Sequence, residues 1–106
     1  MKYHVQWTVK AEQDVERVLR WFHEQSATAA GARWVNQLMA RITTLETQPA
    51  RCALAVEAKQ LGSEVRELLF GKRNFKYRIL FRIEDSDVHI LRVWHGARDF
   101  FTVDDV

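Results

Sequence analysis

The stretch FKYRILFRIEDSDVHILRVWH, residues 75–95, decides the fold. Phe75, Tyr77, Ile79, Phe81 and Ile83 alternate with Lys76, Arg78 and Arg82, the period of a strand with one apolar and one basic face. The polar run EDSD follows and suits a hairpin turn, and VHILRVWH, residues 88–95, reads as the next strand. Upstream, GKRN is a second turn of hairpin type, and EVRELLF, residues 64–70, a third strand. Three consecutive strands joined by short turns predict an antiparallel sheet.

Working outward, residues 3–9 alternate Tyr3, Val5, Trp7 and Val9 with His4, Gln6 and Thr8, a half-buried strand at the start of the chain. Between this strand and the sheet lie two helical patterns. Val15, Val18, Leu19 and Phe22 form one apolar stripe in a helix over about 11–25, with acids early and Arg17, Arg20 and His23 late, as the helix dipole favours. Ala30, Trp34, Leu38, Ile42 and Leu45 face one way in a second helix running to about 47, capped by Ser26 or Thr28 and stopped by Pro49. Gly31 weakens that helix locally and points to close packing or a late start. The short link predicts an antiparallel helical hairpin. Residues 50–64, ARCALAVEAKQLGSE, read as loop or a short helical turn. The expected class is α+β in the order β-α-α-β-β-β. The hairpin covers one face of a mainly antiparallel sheet and leaves the other partly open.

A chain of 106 residues with 47% hydrophobic and 28% charged residues is expected to form one domain, residues 1–106. It has no repeat or linker signal, and no apolar run nears the ~20 residues that cross a bilayer. MKYHVQWTVK is too polar and aromatic for a signal peptide. The single Cys52 excludes an internal disulfide and fits a cytoplasmic protein with no membrane partner. The net charge is +2, but residues 59–82 hold seven basic residues against two acids, a local balance of +5. Such a stretch either attracts an anionic partner or solubilises a sheet face.

RVWHGARDF, residues 92–100, ends the last strand with a histidine before a glycine and an arginine after it. Gly96 is expected to take a positive φ at a turn. His95 either caps backbone groups or transfers protons, and Asp99 is placed to pair with Arg98. His4, His23 and His89 lack metal-ligand spacing to Cys52, so no metal is assigned. Trp7, Trp34 and Trp94 suit a core or groove rim, whereas Trp21 falls beside its helix stripe.

VRELLFGKRNFKYRILFRIEDSDVHILRVWHGARD, residues 65–99, resembles the RelE/ParE superfamily of toxins from type II toxin–antitoxin modules. The matching pieces are Arg66–Leu68 on the second strand, Tyr77-Arg78-Ile79-Leu80-Phe81 on the third, and Val93-Trp94-His95-Gly96-Ala97-Arg98 at the end. The resemblance implies a growth-arresting toxin, silenced by a cognate antitoxin that wraps extended and helical segments around it. Operator DNA would be reached only through that antitoxin, and no cofactor is implied. The superfamily divides between mRNA endonucleases acting in the ribosomal A site and poisons of DNA gyrase that cleave no RNA. For an endonuclease, Arg78, Arg98 and His95 are the candidate catalytic residues. For target or antitoxin binding, the candidates are Arg66, Arg78, Arg82, Trp94, Arg98 and Phe100. The RNase members usually carry a tyrosine after the last arginine; here Phe100 and Phe101 offer no hydroxyl. The ending H-G-A-R-D also looks more like the gyrase branch, which is the favoured expectation. Arg78 and Arg98 are expected to matter for toxicity and little for folding.

Overall fold

The computed structural model describes residues 2–72 and 75–96. Strand β1 is His4–Trp7, helix α1 Val9–Glu24 and helix α2 Thr28–Thr43. Two short 3-10 turns follow, then α3 (Ala58–Leu61), β2 (Arg66–Lys72), β3 (Phe75–Glu84) and β4 (Asp87–His95). The sheet order is β1-β4-β3-β2, with β1 parallel to β4 and the other pairs antiparallel.

Thr8 ends β1 and starts α1. Its hydroxyl donates to the Ile90 and Leu91 carbonyls and accepts from the Ala11 amide at 3.2 Å, so α1 begins earlier than the apolar stripe implies. Val9 therefore leaves the strand and is exposed. No side chain caps α2: Ala27 is its N-cap residue, and Thr28 is its first residue. Gly31 sits where an added Cβ would stand 3.0 Å from Phe22 Cβ, so the helices pack closely at that point.

The main core lies between the helical hairpin and one sheet face. Leu38, Ile42 and Leu45 meet Ile79, Phe81 and Ile90, with Tyr3, Val5 and Trp7 packed beside them. A register shift opposite Leu80/Phe81 makes Leu91 an extra residue on β4. Leu91 and Arg92 consequently share the second sheet face, while Val93 returns to the core.

That second face is more covered than expected. After Cys52 the chain rounds the edge of β2, where the Ala55 amide donates to Val65 O and the Glu67 amide to Ala53 O. It then lays α3 over a smaller cluster of Ala55, Val65, Leu80, Leu91 and Trp94, with Leu61 beside it. No helix among the described residues is long and apolar enough to cross a membrane.

Candidate functional site

The even-numbered residues of β3 point to the second face, placing Arg78 beneath the connector that carries α3. Glu57, just before α3, is only 3% exposed. Arg78 Nη1 and Nη2 each donate to a Glu57 oxygen at 2.8 Å, and Nε donates to Glu67 on the neighbouring strand. This bidentate geometry matches a planar guanidinium to a carboxylate. The bond to Glu57 is the main reason that Arg78 is held still further above its ordinary pKa; Glu67 adds to the effect and burial opposes it. Arg78 is thus tied to two carboxylates and is not the open-face arginine expected from its strand position.

The other basic candidates also hold the connector. Arg82 Nη2 donates to Ser63 Oγ at 3.0 Å. Arg66, paired in register with Phe81, lies on the core side and donates through Nη1 to the Cys52 and Ala50 carbonyls. Trp94, expected on a binding rim, is 4% exposed, and the Arg92 guanidinium lies 4.8 Å from its ring centroid. Much of the local positive charge is therefore spent on internal contacts.

His95 does not join Arg78. It pairs in register with Tyr77, and the two rings meet edge to face at 5.0 Å on the helix side of the sheet. Tyr77 packs in turn on Trp34 and Phe70, and its burial raises the phenol pKa. His95, Tyr77, Arg17, Val18 and the 52%-exposed Trp21 line a small pocket of about 310 Å³. Arg98 and Phe100 lie outside the described residues. Gly96 has no positive φ. Its amide donates to Lys76 O at 2.7 Å, and a Cβ there would stand 2.7 Å from the same oxygen, so close backbone approach is what calls for glycine.

The sequence reading missed a second buried pair. Asp14 on α1 accepts from Arg92 Nε and Nη2 at 2.7 Å each and from the Val93 amide at 3.0 Å. β1 has ended at this point, so Asp14 satisfies the edge of β4 where no strand does. The signal in the sequence was an acid three residues after Ala11 and four before Val18, on the buried side of an amphipathic helix. Glu57 gave no comparable signal, since its burial depends on where the connector folds back.

A larger groove of about 850 Å³ runs between α2 and the outer edge of β2. Phe22, Trp34 and Phe70 supply aromatic walls, and Arg33, Arg41 and Lys76 bring positive charge. Arg41 Nε donates to Leu69 O on the strand edge. The Trp34 indole N–H is buried and has no partner among the described residues.

Residues 5–100 match a family described as the ParE toxin of the type II toxin–antitoxin system parDE. Toxin RelE1 of Caulobacter vibrioides is 31% identical over 96 residues, spanning 91% of this chain and 96% of that protein. A solved structure of the chromosomal ParDE toxin–antitoxin system from P. aeruginosa shares the fold. Its TM-score is 0.69 at 18% identity, and the match covers 89% of this chain and 96% of that one.

Proposed function

Because this chain belongs to the ParE toxin family of type II toxin–antitoxin systems, we propose that it arrests growth by binding and poisoning DNA gyrase and not by cutting mRNA. Family membership implies a cognate antitoxin partner. The observation that carries the gyrase reading is the separation of His95 from Arg78. A metal-free ribonuclease needs a proton-transfer group and a phosphate-binding cation converging on one reacting centre. Here the imidazole lies on the helix side of the sheet and the guanidinium on the other, bound to two carboxylates. Phe100 and Phe101 add no hydroxyl. A docking protein has no need of such convergence.

The endonuclease reading draws on one arrangement, a carboxylate beside an arginine in Glu57 and Arg78. In both readings the α2/β2 groove suits an acidic antitoxin segment, since its walls are aromatic and its charges positive. Arg66, Arg78, Arg82 and Trp94 are engaged within the fold, so of the expected binding residues Arg98 and Phe100, outside the described residues, are left as the proposed target contacts.

The test is gyrase supercoiling and ribosome-bound mRNA cleavage, each with wild type and His95→Gln. Inhibited supercoiling with trapped gyrase–DNA cleavage complexes and intact mRNA is expected, with a modest change in the variant. Codon-positioned mRNA cleavage that collapses roughly 10²–10⁴-fold in His95→Gln, with gyrase unaffected, overturns the reading.

A further inference from the structure

We propose that residues 53–64 form a hinged cover over the second sheet face, locked by the Glu57–Arg78 contact, and that the cover opens as a unit while the sheet stays folded. The inference is independent of the toxin's target. Three observations carry it.

The cover brings little apolar surface with it. Ala55 and Ala58 are its buried apolar residues, Leu61 is half-buried, and Leu54 and Val56 face outward. Its attachment relies on polar contacts: Glu57 with Arg78, Ser63 with Arg82, and two backbone bonds at the β2 edge. A buried ion pair stabilises little when both partners can instead return to water.

The lock is also built to release. Glu67 sits on β2, next to Arg78 on β3, and belongs to the sheet and not to the cover. When Glu57 leaves, Arg78 keeps a carboxylate partner, so opening strands no buried cation. Arg92 offers the contrast, because its carboxylate partner lies on α1, within the main packed layer.

A hinge stands near the end of the cover: Gly62 has φ +68° with open space around it. A glycine in the left-handed region carries no side-chain penalty and swings with little steric cost. Opening uncovers Arg78, Leu80, Leu91 and Trp94 together, an apolar and cationic patch hidden in the closed form.

Native-state hydrogen exchange on the full chain tests the cover. The Leu61 amide bonds within the cover to Glu57 O, whereas the amides of Ala55 and Glu67 bond across its seam to Val65 O and Ala53 O, so opening frees these two. They are expected to exchange at one common rate, at least about 100-fold faster than Ile79 and Phe81 in β3. Glu57→Gln should speed both by about tenfold. Ser63→Ala should act in the same direction and less strongly. The proposal is overturned if the two exchange at the β3 rate in wild type, if only Leu61 is fast, or if Glu57→Gln moves neither of them. The wild-type comparison stands whether or not a variant folds.

Discussion

Arg92 and Arg78 sit on adjacent strands, share the second sheet face and each bind a carboxylate that water barely reaches. Asp14, the partner of Arg92, projects from α1, a 16-residue helix packed on the main core. It also holds the Val93 amide. Glu57, the partner of Arg78, belongs to a connector whose only helix has four residues. The chemistry is similar and the mechanical setting is not. A buried pair between two fixed elements cannot separate without unfolding, whereas a pair between a sheet and a connector can part locally. The strength of such a contact in stability therefore depends on where the freed charges go.

The largest expected effect breaks the first pair. Asp14→Ala should cost about 3–5 kcal/mol in chemical denaturation, because it removes the carboxylate that Arg92 and the Val93 amide share, in a site that does not open. A loss near 1 kcal/mol would make the two pairs alike and erase the contrast.

Arg78→Ala should cost less, roughly 2 kcal/mol, since Glu57 hydrates when the connector lifts and Glu67 is already partly exposed. This replaces the expectation that Arg78 is nearly neutral for folding. Equilibrium unfolding with probes in the sheet and in the connector separates the two contributions. Smaller again is Glu57→Gln, about 1 kcal/mol, because the amide keeps part of the hydrogen bonding and Glu67 remains. A Glu57→Gln loss equal to that of Asp14→Ala would show that the connector is as rigid as α1.

The smallest effect lies outside both pairs and serves as a control on burial without a partner charge. Desolvation raises the Tyr77 pKa above its ordinary 10.0, so the unfolded chain ionises first as the pH climbs. The contribution of Tyr77 is fully present below about pH 10 and is lost as the pH rises from there through the raised value. Stability should decline over that range in wild type and decline less in Tyr77→Phe, as read from denaturation midpoints at each pH.

Much of the architecture was legible because strands and helices write burial into their own period. The alternation of Tyr77, Ile79, Phe81 and Ile83 in β3 and the stripe through Leu38 and Ile42 placed those residues correctly. The helical hairpin, the three consecutive antiparallel strands and the close approach at Gly31 followed from the same local signals. Arg66, Arg78 and Arg82 were picked out as a set, and they do share a task, although it is holding residues 50–63 and not presenting an open surface. Trp94 was misplaced because the connector above it has no periodicity to reveal its path.

By itself, then, the sequence determined the element order, the class of fold and the apolar face of each regular segment. Each of these depends on neighbours within a few residues, where the backbone's period decides which side chains share a face. The tertiary structure alone decided that Leu91 and Arg92 share a side, that His95 and Arg78 do not, and that Asp14 and Glu57 are buried. Those outcomes rest on a bulge and on contacts between residues 78 and 21 positions apart. A charge is buried only when its partner arrives, and that arrival is a property of the folded chain, not of either segment.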